Sequence, residues 1–309
     1  VKKRNEKRPV VGLALGSGSA RGWCHIGVIR ELAELGIRPD IVCGTSIGSL
    51  VGGAYCSGNL DKLEQWVLTL DRKEVARYLD VNVLGSGGAI KGEKIIEFFR
   101  TKIGDPRFED CETPFGTVAT NLATGREVWL REGPILDAVR ASISLPGLFA
   151  PIKMNGDWLV DGGLVNPVPV SLCHAMGADI VIAVNLNGGR LGHDLRAAEH
   201  PKEDASREPP TNALERVVAD LQERADTFLS ELFSSENDHP GLFDVLSASI
   251  NIMQDRITRS RMAGDYPDIM MAPRLAHIGL MDYHRAAEAI DEGRAVVRRA
   301  LPAMEGLLL

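Results

Sequence analysis

The 309-residue sequence predicts an α/β fold on a mostly parallel central sheet, and three observations carry that prediction. Short apolar runs suited to buried strands, at Val10 to Leu15, Asp40 to Cys43 and Ile180 to Leu186, stand among segments with helical apolar spacing. The first three elements read strand, helix, strand, and a βαβ opening implies parallel pairing. The turns after the first two strands are rich in glycine, which suits a sharp passage from strand into helix.

A chain of this length can bury about three quarters of the surface it exposes when unfolded, so a substantial core is available. Hydrophobic residues at 44% and charged residues at 25% are ordinary for a globular protein and argue against wholesale disorder. A net charge of -7 offers no basic face to neutralise phosphates, which excludes nucleic acid as the main partner. Five scattered cysteines without C-x-x-C spacing indicate neither a disulfide framework nor a zinc site. The basic stretch at 1–8 reads as a solvated tail, and the apolar run behind it reads as a first strand and not as a signal peptide. No run reaches the ~18 apolar residues of a transmembrane helix. The expected setting is cytoplasmic, with a peripheral contact at the inner membrane surface left open.

Ile26 to Leu35 reads as a helix that stops at Gly36. Asp61 to Leu70 and Lys94 to Ile103 carry apolar stripes at helical spacing. They form either a wall over the site or a plain cover for the sheet. The glycine-rich stretch Gly85-Ser86-Gly87-Gly88 between them reads as a loop. Strands are expected at Val118 to Thr120 and Glu127 to Leu130, and a helix from Asp137 to Ser144 before Pro146. Asn155-Gly156 joins two strand-like segments as a two-residue hairpin turn, and the second segment ends at Asp161. A short helix over Val170 to Met176 stops at Gly177. Charged, proline-rich composition over 188–211 marks a linker. The resulting division is a tail at 1–8, a catalytic domain at 9–187, the linker, and a mainly helical extension at 212–309. That extension has helices at Ala213 to Phe233, Phe243 to Met262 and Tyr283 to Leu301, and a strand at Asp268 to Ala272.

The chemistry concentrates in two loops and one aspartate. Gly44-Thr45-Ser46-Ile47-Gly48 is a G-x-S-x-G between a strand and a helix, the setting of a nucleophile elbow. Gly16-Ser17-Gly18-Ser19-Ala20-Arg21-Gly22 can turn backbone N–H groups toward an anion at a helix N-terminus. It does not suit a dinucleotide, because Gly22 falls one place late and Asp40 precedes the second strand instead of following it. No Gly-Lys-Ser/Thr follows, so it is not a P-loop. The remaining use is an oxyanion hole.

A serine nucleophile needs a base. The elbow stands only 46 residues into the chain, too early for a Ser-His-Asp hydrolase, in which several elements precede it. His174, His193, His200, His277 and His284 have no motif around them, and His25 reads as a packed polar residue. Asp161 is the better candidate: it ends an apolar strand, two glycines follow it, and partial desolvation would raise its pKa.

These motifs, with Ala141-Ser142-Ile143-Ser144-Leu145-Pro146-Gly147 and Asn166-Pro167-Val168-Pro169, resemble the bacterial patatin-like phospholipases from about Pro9 to Leu186. The tail with Arg261-Met262-Ala263-Gly264-Asp265 is similar to the RssA-type branch. The resemblance implies a three-layer α/β/α fold and a Ser46–Asp161 dyad that hydrolyses lipid esters without metal or cofactor. It implies oxyanion amides at Gly18 and Ser19, where the family more often has two glycines. Gly16, Arg21, Gly22, Gly44, Gly48, Gly162 and Gly163 support these motifs, with Arg21 in a structural ion pair. The expected partner is a lipid or acyl-ester substrate, and a homo-oligomer stays open. The alternatives are a regulatory scaffold with little turnover and a Ser-His-Asp esterase.

Overall fold

A computed structural model describes residues 8–78, 93–188 and 242–307. The expected basic cluster within 1–7, the loop at 85–88, all but the first residue of the 188–211 linker, and the helix at 213–233 lie outside them. The chain divides into two compact units, Val1–Leu191 with Met253–Leu309, and Gly192–Ile252. Every residue of the site belongs to the first.

The first unit is built on an eight-stranded sheet. In chain order its strands are β1 (Val11–Leu15), β2 (Ile41–Thr45), β3 (Phe115–Asn121), β4 (Glu127–Leu130), β5 (Ile152–Met154), β6 (Asp157–Asp161), β7 (Ile180–Val184) and β8 (Ile269–Met271). Among the described residues of the chain the helices are α1 (Cys24–Glu34), α2 (Ile47–Cys56), α3 (Leu60–Val67), α4 (Arg72–Tyr78), α5 (Glu93–Ile103), α6 (Ile135–Ser142), α7 (Val170–Ala175), α8 (Leu242–Arg261) and α9 (Ala286–Met304). Strand order is β5-β6-β3-β2-β1-β7-β8, with β4 also paired to β3. The five strands β3, β2, β1, β7 and β8 run parallel, and β4 to β6 form the antiparallel margin.

Strand alternation separates two cores. Leu13, Leu15, Val42, Phe115, Ile182 and Val184 face the layer that contains α1, α2, α6 and α9. Ala14, Cys43, Val118, Val181 and Ala183 face α7 through Val170, Leu172 and Cys173. Strands buried on both faces read as continuous apolar runs, which is why the parallel core was visible in the sequence. The strand at the C-terminal end lies in this same sheet, with β8 parallel to β7 through Ile182 and Ile269.

The hairpin forms as predicted, with φ of 52° at Asn155 and 93° at Gly156, the left-handed pair a type I′ turn requires. Boundaries differ where tertiary contacts decide them. The stripe at 61–70 becomes α3 and a turn, and α4 follows without any sequence signal noted for it. Helix α9 starts at Ala286, after a single turn at Tyr283–Arg285, and continues past Leu301 through Pro302 to the buried Met304. Leu63, Val67, Ile96 and Phe99 are buried in the core, as the cover reading of the two stripes expects.

Candidate active site

The register of β3 brings the two candidate residues together. Thr117 and Val118 pair with both β2 and β4, while Ala119 and Thr120 pair with both β6 and β4. A strand residue has only two hydrogen-bonding sides, so β2 and β6 must share the side opposite β4. They run toward each other, since β2 is parallel and β6 antiparallel to β3. Their ends meet where Thr45 lies opposite Val118 and Asp161 opposite Ala119. Ser46 is the next residue after Thr45.

Ser46 leaves β2 at φ 56° and ψ -124°, a conformation costly for any L-residue by about 1–3 kcal/mol. Two hydrogen bonds help hold it: Ser46 N donates to Ser142 Oγ at 2.9 Å, and Ser142 Oγ donates to the Val118 carbonyl at 2.6 Å. The flanking glycines serve close approach and not the turn itself. Gly44 and Gly48 lack a positive φ. A Cβ on Gly44 would sit 2.5 Å from the Gly48 carbonyl oxygen, and one on Gly48 would collide with the Leu15 carbonyl. Gly22 faces the Ile47 side chain in the same way. Gly44 and Gly48 thus do not make the sharp turn expected of the flanking glycines, because the left-handed residue is the serine.

Ser46 Oγ donates to Asp161 Oδ2 at 2.6 Å, and Gly163 N donates to Asp161 Oδ1 at 2.6 Å. Asp161 is 1% exposed. Burial raises its pKa from an ordinary 3.8 to about 7, against the hydrogen bonds from Ser46 and Gly163, which lower it. Gly162 lies against the Val118 carbonyl, and Gly163 leaves room for the Gln254 amide and Ser17 hydroxyl.

The glycine loop is pinned from behind. Gly16 N donates to the Val184 carbonyl, and His25 Nε2 lies 2.8 Å from the Gly16 carbonyl. Burial lowers the His25 pKa to about 4, so the neutral ring donates that bond. Arg21, fully buried, donates from Nε to the Gly18 carbonyl at 3.1 Å and so helps hold the loop. Asn187 Nδ2 lies 3.5 Å from the Ser17 carbonyl. In a planar trans peptide the N–H points opposite to the C=O. The Gly18 N–H therefore points away from the Ser17 carbonyl beside Asn187, and the Ser19 N–H away from the Gly18 carbonyl that Arg21 holds. Ser19 holds φ 52°, and its side chain bonds to Leu280 and Tyr283.

Among the described residues no histidine hydrogen-bonds to Ser46 or Asp161. Nor does any group of three or more His, Cys, Asp or Glu there suit a metal, and no helix there is long and apolar enough to cross a membrane. Ser142 lay inside a motif the sequence singled out, without a role. Gln254, Asn187, Leu280 and Tyr283 carried no signal, since only folding brings them to the loop.

The profile of the patatin-like phospholipase family matches residues 13–174. An uncharacterised NTE family protein of Mycobacterium tuberculosis is 31% identical over 98% of this chain and 94% of its own. A lysophospholipase of Yarrowia lipolytica, NTE1, is 36% identical over 57% of this chain and 12% of its own. VipD of Legionella pneumophila superposes with a TM-score of 0.49 at 13% identity, over 98% of this chain and 72% of that one. Sheet, layers and family match define the class as an α/β lipid hydrolase of patatin fold. The chain belongs to the patatin-like phospholipase family.

Proposed function

We propose that the protein is a serine acyl hydrolase of phospholipid or lysophospholipid esters, with Ser46 as nucleophile and Asp161 as base. The observation that carries this reading is the 2.6 Å bond from Ser46 Oγ to a buried carboxyl whose pKa is about 7. Such a base combines a useful deprotonated fraction with real affinity for the serine proton. The likeness to fungal lysophospholipases, which covers 57% of the chain, supports a lipid ester as substrate.

Ser46 Oγ passes its proton to Asp161 as it bonds to the ester carbonyl carbon. The carbonyl oxygen takes up the electron pair and faces the N–H groups of Gly18 and Ser19. Collapse breaks the ester C–O bond, and Asp161 returns the proton to the departing alcohol. Water then gives a proton to Asp161 and attacks the acyl-serine, and fatty acid leaves as Ser46 is reprotonated. The left-handed φ of Ser19, which a glycine would adopt freely, supports turnover over a scaffold role.

Turnover of lysophosphatidylcholine and of a nitrophenyl ester should fall by about a thousandfold or more in Ser46→Ala and in Asp161→Asn. Fluorophosphonate labelling should disappear in Ser46→Ala. Full turnover in either variant would overturn the assignment, and tight lipid binding with no turnover in the unaltered protein would favour the scaffold.

A further inference from the structure

We propose that Tyr283 is a positioning residue for the oxyanion loop, acting through the Ser19 hydroxyl. Ser19 occupies a left-handed conformation that disfavours any residue with a Cβ, so something must hold it there. Its Oγ lies 2.7 Å from the Leu280 carbonyl and 2.7 Å from the Tyr283 hydroxyl. A serine has one hydroxyl proton, and the carbonyl can only accept. Ser19 therefore donates to Leu280, and Tyr283 donates to Ser19.

The same segment grips the loop at two more points. Ala20 N donates to the Leu280 carbonyl at 3.2 Å, and Trp23 Nε1 donates to the Tyr283 carbonyl at 3.2 Å. The Tyr283 ring also packs edge-on to Trp23 at 5.9 Å. Asp282 shapes this segment by accepting from Gly279 N at 2.9 Å. Desolvation holds the Tyr283 phenol above its ordinary pKa, so it stays a donor through neutral pH. With the Gly18 carbonyl held by Arg21, the Ser19 N–H of the same peptide points away from that contact, and the Ser19 tether fixes the other end of the plane. A segment beyond the 13–174 family match thus completes the loop, and it supports a serine where glycine would need no support.

The tether matters to catalysis only if Ser19 N–H meets the oxyanion, so it rests on the acyl-hydrolase reading above. Tyr283→Phe keeps the ring packing and removes the donor. With rates expressed per fluorophosphonate-labelled site, so that misfolded protein is not counted, it should lower kcat about tenfold and move KM less than about twofold. The loss should be equal on a soluble nitrophenyl ester and on lysophosphatidylcholine, because both share the oxyanion and not the leaving group. In a Ser19→Gly background the same Tyr283→Phe change should alter kcat by less than about twofold, since the tether is already gone. An unchanged kcat in Tyr283→Phe, or an equal loss with and without Ser19, would overturn the proposal. Turnover surviving in Ser46→Ala would instead overturn the acyl-hydrolase reading beneath it.

Discussion

The burial that would suit Asp161 to its proposed role as base also opposes stability. Burial raises its pKa from 3.8 to about 7, so over that range the native state binds a proton that the unfolded chain releases. Its contribution to stability is full below the unfolded value and declines as pH rises toward 7. Asp161→Asn should therefore melt at a higher temperature than the native sequence at pH 8, with the gain shrinking as pH falls to about 4. Scanning calorimetry across that range checks the sign, and a variant equally or less stable at pH 8 would contradict it. With Asp161 as the proposed base, kcat/KM should fall about tenfold per unit as pH drops below the Asp161 pKa, because only a carboxylate could take the serine proton. The sequence marked Asp161 through its place at the end of an apolar strand before two glycines. It could not show how completely the residue is desolvated, which depends on β3, α6 and the loop at Gly163.

Among the described helices, α1 and α9 pack backbone against backbone. A Cβ on Gly27 would collide with the Ile290 carbonyl, and one on Gly293 with the Cys24 carbonyl, so each helix presents a glycine to the other's backbone. Glu31 of α1 binds Arg298 at 2.6 Å and Arg294 at 3.4 Å across the same contact. Gly27→Ala cannot be absorbed by moving a flexible side chain, because the obstacle is backbone. It should cost about 1–3 kcal/mol and lower the melting temperature, despite alanine's better helix propensity. An unchanged or higher melting temperature would show that the helices separate without cost. Both helices were legible from apolar spacing, but their contact was not, since Arg294 and Glu31 stand 263 residues apart. The elbow shows the same division. G-x-S-x-G located the turn, while the reason for its glycines lay in the approach of Leu15 and α2.

At the scale of the whole molecule, the first compact unit is closed by segments far downstream of the motifs. Strand β8 pairs along β7, and α9 covers α1 with Ala286, Ala289, Ile290 and Val297 buried. Removing 269–309 would expose the β7 edge and that apolar face, an invitation to aggregation. The truncated chain should lose its cooperative melting transition and its solubility. Circular dichroism melts of the deletion against the full chain check this, and a truncated chain that melts cooperatively would contradict it. By itself the sequence determined the α/β class, the elbow at Ser46, the glycine loop and the hairpin that delivers Asp161. Each depends on residues adjacent in the chain, whose φ, ψ and spacing are local properties. The tertiary structure decided that β2 and β6 meet end to end along β3, that Asp161 is stripped of water, and that Leu280 and Tyr283 reach Ser19. Those outcomes depend on pairs separated by 115 and 264 residues, which only the closed sheet and its covering helices bring within hydrogen-bonding distance.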